Sequence, residues 1–325
     1  MVQTRKNLVK PQGVVTRGTT APNRLRRVDR WIVATQAAGP LRSARGHVRA
    51  SGPGPAPRPP LAVDLGYGAS PVTTVEFYTR LRTVAPALEV AGVEIEPERV
   101  AAGQAVVAGG AYEGLSFLRG GFELPVGRPP VLVRAFNVLR QYEEAAAWRA
   151  WDGLRARLAP GGVLVEGTCD EIGRRAVWVA LPATTRAPRR GASLRLETSP
   201  RARASTDPDA SAGMDGATIT FSAHLPSLER PSDLAERLPK TLIHRNVPGE
   251  RVHALLTDFD RCWATAAPLS VFGPRARWIE AVTLLARTWP VLTRPPYGGR
   301  ARWRLGEVSL PWSAVAPADR PGPPR

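Results

Sequence analysis

Between Leu61 and Glu76 the chain reads LAVDLGYGASPVTTVE, and this stretch restricts the fold more than any other. An apolar run, Leu61 to Leu65, stops at two glycines one residue apart and is followed by Ser70, Pro71 and a segment able to form a helix. That order predicts a strand, a tight turn and a helix N-terminus. Gly66 and Gly68 accept positive φ and let a ligand approach bare backbone, Ser70 suits an N-cap, and Pro71 suits the first helical position. Such a turn leaves backbone N–H groups facing outward, a seat for an anionic group.

The same alternation continues downstream. A strand at 89–95 precedes a helix at about 97–106, a third strand lies near Leu115 to Arg119, and PVLVRAF, Pro130 to Phe136, is a fourth. An amphipathic helix follows, ended by Pro160 and two glycines, and Val163 to Gly167 forms a fifth strand. Strands and helices alternating at these lengths predict an α/β fold with a doubly wound, mostly parallel, Rossmann-like sheet, its ligands lying across the carboxyl ends of the strands. Val177 to Leu181 and Ala217 to Leu225 alternate as an antiparallel edge hairpin, bringing the sheet to seven strands.

Around this 61–225 domain the sequence predicts a basic N-terminal arm and linker (1–60), a disordered insertion (182–216), a helical C-terminal extension (226–315) and a disordered tail (316–325). Within the arm, residues 1–16 read as disordered. Leu25, Val28, Trp31 and Ile32 recur at helical spacing among Arg24, Arg26, Arg27 and Arg30, a stripe suited to packing on the domain or, with its basic face, to a phosphate-bearing partner. Arg302 to Trp312 predicts one or two further strands.

The formal net charge of +17 is unevenly spread. Residues 1–60 hold twelve Lys/Arg against the single acid Asp29, and residues 61–185 hold twelve against fourteen, so the motif-bearing region is slightly acidic and the arms are basic. The two cysteines, Cys169 and Cys262, fit a reduced intracellular protein, and neither they nor His244 and His253 have metal-ligand spacing. No apolar run approaches membrane-spanning length, so a cytoplasmic protein without a membrane partner or a metal is expected.

Dinucleotide folds use a similar glycine turn, but their fingerprint wants glycine where Pro71 stands and seldom needs an acid two residues before the first glycine. Asp64 occupies that place. A carboxylate beside an anion-binding turn suits a zwitterion, whose ammonium meets Asp64 while its carboxylate meets the N–H groups. The methionine end of S-adenosylmethionine (SAM) is such a ligand. The stretch resembles motif I of the class I SAM-dependent methyltransferases, in which acid, apolar, Gly, x, Gly follows the first strand, with Ser70 standing where a third glycine is frequent.

This resemblance covers roughly Leu61 to Leu225 and implies SAM as cofactor, bound by Asp64, Gly66, Gly68 and Ser70. It implies Glu94 as the acid that takes both ribose hydroxyls from the end of the second strand. In GGFELP, Gly120 to Pro125, it places Phe122 and Glu123 at the adenine. RAFNVLRQY resembles the family's fourth motif and puts Asn137 toward the transferring methyl, although Asn at a helix start also serves as a cap. Asp170, at the rim with Glu171, is a candidate general base or orienter of a substrate amine. Thr168-Cys169 is similar to the Thr-Cys of RNA cytosine-5 methyltransferases, but the Pro-Cys of their fourth motif is missing, and a buried packing cysteine is the competing reading.

Methyl transfer to a small molecule or protein is therefore expected, with the C-terminal helices as a substrate cap. The alternatives are RNA methylation through the Arg-rich arm and a catalytically vestigial SAM-binding protein. All three require Asp64, the Gly66/Gly68 bend and Glu94 to converge on one open cleft.

Overall fold

Leu61–Leu65, apolar but for Asp64, has both of its sides covered: it forms β1, buried throughout, near the centre of a mixed sheet. The computed structural model describes residues 11–16, 20–37, 39–41, 58–184 and 214–320. In it β1, β2 (Glu89–Glu94), β3 (Leu115–Arg119), β4 (Leu132–Phe136) and β5 (Val163–Cys169) are parallel, in the spatial order β3-β2-β1-β4-β5. The chain thus leaves β1 toward β2 on one side and returns to β4 on the other. The crevice at that reversal, outside the strand ends, is where a doubly wound sheet holds its ligand.

Beyond β5 the strands β6 (Arg175–Pro182), β7 (Thr218–Ala223) and β8 (Glu307–Pro311) run antiparallel, completing eight strands where seven were expected. The eighth comes from the C-terminal segment. Its partner on β7 is about ninety residues earlier, and Thr220 and Ser309 share a side-chain hydrogen bond of 2.8 Å across that separation. Strand β5 also runs two residues further than expected, because its hairpin with β6 pairs Cys169 with Ala176.

Helices α1 (Arg26–Gln36) and α2 (Val72–Arg82) cover one face of the sheet, and α3 (Pro97–Val107) follows β2. On the other face lie α4 (Glu144–Arg155) and, after the short α5 (Lys240–Ile243), α6 (Arg251–Thr265) and α7 (Pro274–Leu285). A last short helix, α8 (Arg300–Trp303), leads into β8. The stripe Leu25, Val28, Trp31 and Ile32 of the N-terminal arm is buried, with Trp31 edge-on to Trp178 of β6 at 5.5 Å between centroids. Trp263 and Trp278 are core residues. Helix α2 starts one residue later than its proline suggests: Pro71 is the cap, and the Ser70 hydroxyl accepts from the Val72 N–H at 3.3 Å. Residues 185–213 of the expected insertion lie outside the described residues, as do 1–10, 17–19, 38, 42–57 and 321–325.

Candidate functional site

The glycine turn after β1 forms as its sequence demands, with Gly66 at φ 68° and Gly68 at φ 84°. Two of its N–H groups are already engaged: Gly66 donates to the Val93 carbonyl at 2.7 Å and Gly68 to Glu94 Oε2 at 2.9 Å. Glu94, almost fully buried at the end of β2, also accepts from the Ile95 N–H at 2.9 Å and has Arg99 at 3.8 Å. The turn and the acid predicted for the ribose therefore do face one another, in a cleft outside the ends of β1, β2 and β4.

That cleft has two halves. One is lined by Asp64, Gly66, Gly68, Thr73 and Asn137 together with Thr16, Thr20 and Arg24 of the arm, and keeps about 40 Å³ of free space. The other is lined by Glu94, Ile95, Gly121, Phe122 and Tyr142 with Gln12 to Val14, and keeps about 10 Å³. One ordered water needs roughly 10–15 Å³ on this measure, so the halves hold a few waters and about one.

Asp64 faces the first half but does not wait for a cation. Arg134 of β4, fully buried, donates to Asp64 Oδ1 through Nε at 2.9 Å and to Oδ2 through Nη2 at 2.6 Å, and Thr74 donates to Oδ2 at 2.7 Å. The other guanidinium arm of Arg134 pairs with Asp29 of α1, which also takes Arg80 at 2.8 Å. The Arg134 guanidinium lies 4.1 Å from the centroid of the Phe77 ring. Burial pushes the Asp29 carboxyl up while Arg134 and Arg80 pull it down, and the two aspartates keep Arg134 charged. Asp64, expected to meet a ligand's ammonium, thus has its charge balanced from within the chain.

Two other expected cofactor contacts lie elsewhere. Ser70 serves the start of α2 and lines neither half of the cleft. Glu123 closes its own turn, accepting from the Gly121 N–H at 2.9 Å, and its second oxygen accepts from the Gln12 N–H at 2.8 Å. Phe122 does line the cleft, with its ring 5.4 Å from that of Tyr142.

At the β4 and β5 ends, Asn137 takes φ 59°, unusual for a residue other than glycine. Its amide is committed: Oδ1 accepts from the Cys169 N–H at 3.0 Å and Nδ2 lies 3.3 Å from the Cys169 sulfur. Asp170 is likewise spent, accepting from the N–H groups of Ile172, Arg174 and Arg175 to close the β5–β6 hairpin, and it lines neither half. Asp170, expected as a general base or orienter of a substrate amine, thus has its oxygens turned to the hairpin's own N–H groups.

Cys169 is 2% exposed, and burial raises its thiol, so the packing reading of this cysteine holds over the nucleophilic one. At neutral pH iodoacetamide should therefore modify the part-buried Cys262 well before Cys169. Peptide mass spectrometry over a labelling time course checks the order, and faster labelling of Cys169 would reopen the nucleophile.

The residues missed from sequence are Thr16, Thr20, Arg24, Tyr142 and Arg134. Arg134 had a signal, a charge inside the strand pattern PVLVRAF, which in a strand covered on both faces demands a buried partner. The arm residues had none, since their spacing to the turn says nothing of contact. Among the described residues no group of three or more His, Cys, Asp or Glu is placed to hold a metal ion, and no helix is long and apolar enough to cross a membrane.

For an adenosyl ligand the lining fits in kind, with an acid for hydroxyls, an aromatic pair for a base and a polar turn for a charged tail. In space it is narrow, because with the arm in place the two halves hold only a few waters and about one.

No family model matches the chain, and no curated protein matches it. Among solved structures it is similar to N,N-8-amino-8-demethyl-D-riboflavin dimethyltransferase (RosA) from Streptomyces davawensis, at 18% identity over 33% of this chain and 31% of that one, with a TM-score of 0.28. It is similar to the N-methyltransferase NodS from Bradyrhizobium japonicum WM9 at 16% identity over 44% and 66%, TM-score 0.29. Human N-acetylserotonin methyltransferase in complex with SAM gives 20% identity over 35% and 32%, TM-score 0.28. The chain spans about a third of the length of the first and third of these. Likeness over a minority of the chain leaves the reading of the cleft to its own atoms.

Proposed function

We propose that the chain is a methyltransferase that takes SAM between β1 and β4 and passes its electrophilic methyl group to a small molecule or protein. One observation carries the reading: the Gly66/Gly68 turn, the Glu94 carboxylate and the Phe122 and Tyr142 rings line two adjoining pockets, which share Thr16, Leu65 and Gly66, at the carboxyl ends of parallel strands. In them Glu94 takes the ribose hydroxyls, the ring pair takes the adenine, and the half holding Arg24 and Thr73 takes the methionyl end. Asp64 acts through Arg134 as a scaffold for the turn rather than as a ligand. Asn137 holds the β5 end in place from the methyl side, and no residue is assigned as a base.

A second reading, a vestigial SAM protein, is favoured by the arm that fills the cleft. RNA methylation has less support. Arg24 and Arg27 of the arm each spend a donor inside the chain, on the carbonyls of Asp170 and Leu305.

Titration calorimetry of the full chain with SAM tests the site. Saturable binding is expected, and Glu94→Ala should weaken it by about tenfold to a hundredfold, the cost of losing a buried charged acceptor. Binding unaffected by that substitution places the ligand elsewhere. Release of labelled methyl into cell extracts then separates an active enzyme from a vestigial one.

A further inference from the structure

The arm segment from Gln12 to Thr16, expected to be disordered, is bound along the cleft by its main chain. The Phe122 N–H donates to the Gln12 carbonyl at 2.9 Å, and the Gln12 N–H donates to Glu123 Oε2 at 2.8 Å. Two residues on, the Val14 N–H donates to the Tyr142 hydroxyl, and Gln141 Nε2 donates to the Val14 carbonyl at 3.0 Å. Arg99, beside Glu94, donates to the Thr16 carbonyl at 3.1 Å, and the Thr20 hydroxyl donates to the Tyr67 carbonyl at 3.1 Å. The approach is close: a Cβ on Gly121 would lie 1.9 Å from the Gln12 carbonyl oxygen, and one on Gly68 would lie 2.7 Å from the Thr20 hydroxyl. Glycine at 121 is therefore what admits the strap.

We propose that residues 12–16 are an autoinhibitory strap that occupies the adenosyl site and must leave before SAM enters. The inference rests on the proposed SAM site and deepens it. The strap contacts the Phe122 loop and Tyr142, both assigned to the ligand, and the arginine paired with Glu94, and it reduces the space over them to that of a few waters. These bonds hold the strap by its main chain, mostly to side chains, and are exposed or part-buried, so they form and break without disturbing the core. Strap and ligand exclude one another, and the apparent affinity for SAM is the intrinsic affinity reduced by the fraction of chains whose strap is out.

Two substitutions within the strap of the full chain release it. Gln12→Pro removes the N–H that donates to Glu123. Gly13→Val loads a residue at φ 131° whose Cβ would meet Tyr142 and Ile95. With SAM as the probe, calorimetry should show each variant binding about tenfold or more tightly than wild type, the gain expected if the strap is out in a tenth of molecules or fewer. Hydrogen exchange is the second readout: saturating SAM should speed exchange of the Gln12 and Val14 amides in wild type. Equal affinity in all three proteins, with exchange at 12–16 unchanged by SAM, overturns the strap and leaves the SAM site standing. No SAM binding in any of them, with exchange showing the strap released in the variants, overturns the SAM site and the strap's role together.

Discussion

Replacing Arg134 by methionine should destabilise the fold by about 3–5 kcal/mol, the usual cost of stripping one partner from a buried ion pair. The side chain is fully buried and bridges Asp29 on α1 to Asp64 on β1, with a further bond to the Thr73 carbonyl at 3.0 Å. Methionine matches its volume and its contact with Phe77 but leaves two carboxylates out of water with only Arg80 and Thr74 to compensate. Most of the loss is then the desolvation of stranded charge rather than the vanished attraction. Adding Asp64→Asn to the methionine variant should therefore recover stability, with a coupling of about 1 kcal/mol or more between neighbouring sites. Urea denaturation of the four proteins in the cycle measures both quantities. A loss below about 1 kcal/mol, or strict additivity, would show that the cluster is not what ties the arm helix and the turn to the sheet.

The second large effect concerns pH. Glu166 lies in the middle of β5, fully buried, with one oxygen accepting from Trp151 Nε1 at 3.1 Å and the other without a partner. Burial raises its pKa from 4.5 to about 8, against a smaller lowering by the Trp151 bond. The folded state therefore holds a proton that the unfolded state releases above about pH 4.5, and the sign follows from that difference. The stability is fully present below pH 4.5 and is lost as pH rises through 8, at a limiting slope of roughly 1.4 kcal/mol per pH unit.

Glu166→Gln, a neutral mimic of the protonated side chain, should remove that slope and overtake wild type in stability at pH 9. Glu307, raised to about 7 by burial against the opposing pull of Arg302, adds a slope of the same sign over a narrower window. The diagnostic quantity is therefore the difference between wild type and variant. Denaturant midpoints at half-unit steps from pH 5 to 9 give it, and parallel curves for the two proteins would mean that Glu166 does not titrate in this range.

Features confined to a few residues were legible in the sequence. The strand, glycine turn and helix from Leu61 onward, the acid closing β2 and the apolar stripe of α1 all took the conformations their residue types favour. Where a feature depends on a partner far along the chain, residue types alone do not name that partner. Ser70 and Pro71 were displaced by one residue, within the range over which helix ends vary. Asp170 and Glu123 look like free acids in a string of letters and are turn-closing acceptors in the fold.

By itself, then, the sequence determined the order of elements, the parallel half of the sheet and the place of the cleft, because periodicity, glycine and proline act through neighbours along the chain. Only the tertiary structure decided how that cleft is furnished. Arg134 meets Asp64 across 70 residues and Asp29 across 105, and the strap meets its docking groups across 111 and 128. No spacing rule reaches so far. These contacts form because folding brings buried charges and unpaired main-chain groups together, and each must find a partner or leave a cost unmet.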